Sequence, residues 1–212
     1  MQYIFQCLSD VHIVLDQLNV ESIKNTVYQL AKLKQHNGRL FILGVGGGAG
    51  HASHAASDFR KIAGIEAYAP TDNVSELTAR INDEGWETVF SQWLKVSRLN
   101  KKDTLLIFSV GGGDEENKIS MPLVRAIDCA KEIGATIIGI VGKSNGYTAR
   151  IADICIVIPT VNAKMVTVYT ESFQALLWHL IVSHPLLKSN EMKWESVDIA
   201  RKKTEATDAA GT

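Results

Sequence analysis

Between residues 21 and 35 the apolar positions Ile23, Val27, Leu30 and Leu33 recur every three or four residues, and Asn37-Gly38 closes the pattern. That spacing predicts a helix packed by one face. The period then collapses: residues 39–45 form a near-continuous apolar run, a buried strand that leads straight into Gly46-Gly47-Gly48. The same alternation continues down the chain. Helices are predicted over 51–62, ended by Gly64, then over 74–81, 86–99, about 119–133 and about 167–183, the last stopped by Pro185. Strands are predicted over 65–69, 103–110, 135–141 and 154–158. Strands separated by helices need crossover connections and therefore run parallel. Runs such as Leu105-Leu106-Ile107-Phe108 lack polar alternation because helices cover both faces. The predicted fold is α/β: a doubly wound, five-stranded parallel sheet flanked by helices, flavodoxin-like, with one domain over 1–195 that includes an N-terminal helical segment. Residues 196–212 are expected to form a loose polar tail.

Composition narrows the class. With 212 residues, 46% hydrophobic and 21% charged, the chain can bury one sizeable core. A formal net charge of -1 supplies no basic field for nucleic acid or an anionic membrane. No apolar run approaches the roughly 20 residues of a membrane span, and residues 1–10 show no secretory pattern, so a cytoplasmic location is expected. Cys7, Cys129 and Cys155 lack CxxC spacing and read as reduced, packed thiols.

Two strands end in three glycines each, Gly46-Gly47-Gly48 and Gly111-Gly112-Gly113, and each opens a helix. In an open parallel sheet, ligands bind beyond the carboxyl ends of the strands, where glycine lets backbone approach and a helix start offers free N–H groups. A ligand site is therefore expected; the alternative is that the glycines only allow tight helix–strand packing. Gly142-Lys143-Ser144 resembles the end of a P-loop, but the glycine that motif requires is Ile137. Gly44-Val45-Gly46-Gly47-Gly48-Ala49 satisfies G-x-G-x-x-A, with Glu66 downstream, so a dinucleotide-binding protein is a further alternative. Against it, Glu66 opens its strand instead of closing it, and the second glycine turn would have no use.

The polar residues of the helices add chemistry. His54 and Asp58 at i, i+4 share a helix face, and Glu171 and His179, eight apart, differ by about 80° around theirs. Each has an ordinary alternative, a solvated carboxylate or a hydrogen-bonded core histidine. Two imidazoles and two carboxylates also suit a divalent metal such as zinc. Trp86, Phe90 and Trp93 at helical spacing read as core or subunit contact.

The order of these motifs resembles a known family. Leu43-Gly44-Val45-Gly46-Gly47-Gly48 leads into a helix with His54 and Asp58; Asn82-Asp83 precedes an aromatic-rich helix; Ser109-Val110-Gly111-Gly112-Gly113 and Gly139-Ile140-Val141-Gly142-Lys143 follow later strands; the last helix carries Glu171 and His179. Over about residues 20–183 this resembles the sugar isomerase (SIS) domain and, within it, the phosphoheptose isomerases. The resemblance implies a homotetramer with active sites at subunit contacts. It also implies conversion of sedoheptulose 7-phosphate to D-glycero-D-manno-heptose 7-phosphate for lipopolysaccharide or capsule heptose. Matching positions set Glu171, with Asp58 and His179, among the catalytic residues, at a glutamine position; without metal they make Asp58 the base and His179 the acid and leave Asp83 to orient sugar hydroxyls. They assign substrate contacts to Gly46, Gly47, Gly48, Ser109, Val110, Gly111, Gly112 and Asp114. Some phosphoheptose isomerases carry zinc at the positions of His54, Asp58, Glu171 and His179, so Zn²⁺ on these four is expected to polarise the substrate carbonyl. The chain departs from the family where Gly48, Gly111 and Asp114 replace serines, Val110 replaces a threonine, and Asp58 is one methylene shorter than glutamate. The acids of 114–116 are expected at a helix start, where they would cap the dipole and repel a phosphate, with Lys118 or Lys143 compensating. A non-catalytic SIS module that binds a phosphosugar and regulates a partner is the competing reading.

Overall fold

The computed structural model describes residues 1–193; the tail expected at 196–212 lies outside the described residues. Five strands, β1 (Leu40–Gly44), β2 (Ala67–Tyr68), β3 (Thr104–Ser109), β4 (Thr136–Val141) and β5 (Ile154–Val157), form one parallel sheet in the order β2-β1-β3-β4-β5. Leu40 of β1 sits between Ala67 of β2 and Thr104 of β3. This is the doubly wound, flavodoxin-like order expected, and its winding reverses between β1 and β3, the two strands that run into glycine triplets.

Alternation within the strands explains their uniform apolarity. Leu40, Ile42, Leu106, Phe108, Ile138 and Ile140 face one core with Leu30, Phe59, Phe173 and Trp178. Phe41, Leu43, Leu105, Ile107 and Ile137 face the other, under Phe90, Leu94, Leu123 and Ile127. Helices α2 (Val20–Gln35), α3 (Gly47–Asp58) and α8 (Val166–Val182) cover the first face; α5 (Val89–Val96) and α6 (Met121–Ile133) cover the second. Each such side chain contributes roughly 1.5–3 kcal/mol on burial. The N-terminal helical segment is α1 (Gln2–Gln17). It is tied to α8 by the buried Asp10, which accepts from Gln6 Nε2 (2.8 Å), Tyr169 Oη (2.8 Å) and Asn162 Nδ2 (3.3 Å).

Several boundaries differ from the sequence expectation. The helix expected over 51–62 begins at Gly47, stays α-helical to Asp58 and widens into a π-turn over Phe59–Ala63. The helix expected over 86–99 divides into a 3₁₀ turn (Trp86–Thr88) and α5. The helix expected from 119 begins at Met121, because Asp114 and Ile119 exchange backbone hydrogen bonds (3.0 and 2.9 Å) and fold the intervening residues into a small hairpin. Helices α4 (Val74–Glu84) and α7 (Tyr147–Ile151) complete the set. No helix among the described residues is long and apolar enough to cross a membrane.

Candidate active site

Helix α3 leaves β1 through Gly46, whose φ of 61° is left-handed backbone that glycine adopts without a Cβ penalty. A Cβ on Gly48 would sit 2.6 Å from the Phe108 carbonyl oxygen, so α3 lies hard against β3. Helix α8 runs alongside α3, and three contacts mark the seam. Nearest the strand ends, the Glu171 carboxylate covers Gly47, where a Cβ would be 2.5 Å from Oε1. One turn on, His51 Nδ1 meets Gln174 Oε1 at 3.1 Å. At the far end His54, Asp58, Trp178 and His179 converge.

That end is the polar cluster of the seam. Asp58 Oδ2 lies 3.5 Å from His54 Nε2, 3.4 Å from His179 Nε2 and 3.4 Å from Trp178 Nε1, which donates to it. The carboxylate is 15% exposed, while the His54 and His179 side chains are 59% and 47% exposed. Ring centroids of His54 and His179 stand 5.2 Å apart, nearly perpendicular at 82°, and Trp178 packs under both. A cleft of about 650 Å³ opens here, bordered by His54, Asp58, His179, Lys61, Asn190 and Lys193.

Protonation is constrained by partners. Ala175 O is 2.7 Å from His179 Nδ1, and a carbonyl only accepts, so Nδ1 carries a proton. In a neutral His179 the Nε2 lone pair would then face the Asp58 carboxylate. A cation shared between them, a proton or a metal ion, removes that repulsion. Donor atoms of His54, Asp58 and His179 all lie within 4.8 Å of one another, the one such His/Cys/Asp/Glu group among the described residues. A nitrogen–oxygen donor set of this kind suits zinc. The structure therefore brings together three of the four expected ligands; Glu171 stays at the opposite end of the seam over Gly47.

The second glycine turn has mostly internal partners. Ser109 Oγ accepts from Gly112 N–H (3.0 Å), and Val110 O accepts from Gly142 N–H (2.9 Å). Gly112 O receives both Thr148 N–H (2.8 Å) and its hydroxyl (2.7 Å), and Gly113 O receives Tyr147 N–H (2.9 Å). Gly112 and Gly113 are buried with φ of 76° and 83°, so this turn serves close packing against α7. Gly111, half-buried, has open space where a Cβ would stand. Asp114 accepts from the Asn117 side-chain amide (2.8 Å) and backbone N–H (3.0 Å), which hold its carboxyl below the ordinary range. Contrary to expectation, the acids at 114–116 lie in the hairpin, not in the first turn of α6. Asp83, near the end of α4, is exposed and accepts from Asn82 Nδ2 at 2.7 Å.

His51, Gln174 and Trp178 join the seam in addition to the expected residues. His51 carried a signal, since it shares a helix face with His54 and Asp58 at i, i+3 and i+7. Trp178 and Gln174 carried none, because only tertiary packing turns them toward α3.

A sequence profile of the SIS domain matches residues 3–142. The lincomycin biosynthesis protein LmbN of Streptomyces lincolnensis is 33% identical over 152 residues, which is 66% of this chain and 54% of that protein, so the match spans about half of LmbN. A phosphoheptose isomerase of Rhodospirillum rubrum is 30% identical over 154 residues, 70% of this chain and 73% of that enzyme. Among solved structures, a phosphoheptose isomerase of Neisseria gonorrhoeae superposes with a TM-score of 0.72 at 22% identity, covering 85% of this chain and 93% of that one.

Proposed function

Since the chain belongs to the SIS domain family, we propose that it is an aldose–ketose isomerase for a sugar phosphate, sedoheptulose 7-phosphate or a close relative. The observation that carries this reading is the convergence of His54 and His179 on one oxygen of a largely buried carboxylate, Asp58. Isomerisation moves a proton between adjacent carbons and needs a base near them and an acid near the carbonyl oxygen. Asp58 takes the proton from the ketose C1 and returns it to C2. His179, protonated on Nε2, serves the carbonyl oxygen, and Trp178 N–H holds the carboxylate in place. Where Zn²⁺ is held by His54, Asp58 and His179, Nε2 of His179 would be a ligand and not the acid, the metal would supply the polarisation of the carbonyl, and Asp58 would still offer its other oxygen, Oδ1, as the base. Glu171 and the exposed Gly46 and Gly47 line the strand end of the same seam. Seven residues of α3 separate Gly47 from His54, about 10 Å, a span an extended seven-carbon sugar phosphate can cross.

Assembly as a cytoplasmic homotetramer belongs to the same reading. Exposed Tyr3, Ile4, Phe5 and Leu8 on α1, with Leu176 and Leu180 on α8, offer apolar faces to other copies. A neighbouring copy would then bring Asp83 toward the sugar hydroxyls. The competing reading is the non-catalytic phosphosugar-binding module.

NMR of sedoheptulose 7-phosphate with the purified protein tests the proposal. Aldose should accumulate, D58N should lower the rate about 10²–10⁴-fold, and elemental analysis should find stoichiometric zinc whose chelation slows turnover. Saturable binding without turnover would select the regulatory module instead. Full activity in zinc-free protein would remove the metal from the scheme.

A further inference from the structure

We infer that His51 is a substrate-contacting residue whose neutral ring is fixed as the Nδ1–H tautomer, so that its Nε2 lone pair accepts from a ligand hydroxyl. Ile140 O is a backbone carbonyl and can only accept, so the Gln174 atom 2.9 Å from it is the amide nitrogen. Gln174 Oε1 must then face His51 Nδ1, at 3.1 Å, and that nitrogen must carry the proton. A neutral imidazole fixed this way has its lone pair on Nε2. Gln174 is fully buried, so the chain Ile140–Gln174–His51 is set by the sheet itself and shielded from water. A buried amide is costly unless both its ends are bonded, and here both are.

The ring is also held from its sides. Trp178 packs on it with centroids 5.0 Å apart, and Phe108 meets it edge-on at 6.3 Å and 84°. His51 is only half-buried. With Nδ1 turned inward to Gln174, Nε2 is the ring nitrogen left to meet a ligand. On α3, His51 stands one turn before His54, between the Glu171–Gly47 end of the seam and the Asp58 cluster. It is not one of the three clustered donors. A ligand lying along the seam therefore passes it, and a fixed lone pair at that point recognises a hydroxyl donor.

The identity of the ligand rests on the isomerase reading; the tautomer does not. Long-range ¹H–¹⁵N NMR of the full chain labelled with ¹⁵N-histidine, assigned with H51F, tests both. The neutral His51 ring should carry its proton on Nδ1, and sedoheptulose 7-phosphate should shift Nε2 while Nδ1 stays protonated. In kinetics, H51F should raise KM at least about tenfold and change kcat less, the pattern of lost binding common to ground and transition states. A proton on Nε2, or an unmoved His51 while His54 or His179 responds, overturns the inference and leaves the isomerase reading standing. No response from any of the three imidazoles overturns both.

Discussion

Asp10 is 4% exposed and accepts three hydrogen bonds, and the Gln6 amide with the Tyr169 hydroxyl holds its carboxyl below the usual 3.8. The unfolded chain thus takes up a proton that the folded chain refuses. Stability from Asp10 is complete above the ordinary carboxylate value and drains away as pH falls through the depressed folded value. The urea midpoint of the wild type should therefore exceed that of D10N by a gap that narrows from about pH 6 to about pH 3; a constant gap would contradict the hydrogen-bonded carboxylate. At this scale the sequence was partly readable. The spacing of His54 and Asp58 is a one-helix property, and the structure keeps both on one face. Glu171 shows the limit. Counting degrees around a helix set it beside His179, but eight residues also rise about 12 Å along the axis, which carries Glu171 to Gly47 instead. Trp178 and Gln174 owe their roles to a neighbouring helix and strand, which no spacing within α8 records.

Element by element, α3 shows why glycine is placed where it is. Gly48 faces the Phe108 carbonyl, a backbone atom that cannot move aside, whereas Gly50 on the same helix has open space around its missing Cβ. Gly48→Ala should cost about 1–3 kcal/mol through overpacking. Gly50→Ala should stabilise by roughly 0.5–1 kcal/mol through helix propensity. Chemical denaturation of the two variants separates these effects, and equal changes would refute the close packing of α3 on β3. Long apolar strands and amphipathic helices were legible because period and burial coincide. The hairpin at 114–119, the five-residue α7 and the π-turn after Asp58 were not, since each is set by backbone partners elsewhere: Ile119 for Asp114, Gly112 and Gly113 for α7, and Ser189 and Asn190, whose N–H groups bind Ile62 O, for the π-turn.

At the scale of the whole molecule, the strand order β2-β1-β3-β4-β5 puts both glycine turns at the point where the winding reverses. The two turns nevertheless differ in what they can do. The first keeps Gly46 and Gly47 exposed beside Glu171, while the second spends its hydroxyl and carbonyls on its own loop and α7. In the proposed isomerase, recognition shifts to the α3–α8 seam, which runs from Gly47 past His51 to Asp58, and the chemistry sits at the far end of that seam. As the proposed base, Asp58 moves a proton between neighbouring carbons of a sugar. Incubating the protein with sedoheptulose 7-phosphate in D₂O and reading deuterium by NMR tests it most directly. Deuterium should appear at C2 of the aldose formed and at C1 of the remaining ketose, with neither in D58N. Folded wild-type protein that forms no aldose and leaves both carbons unlabelled would contradict it.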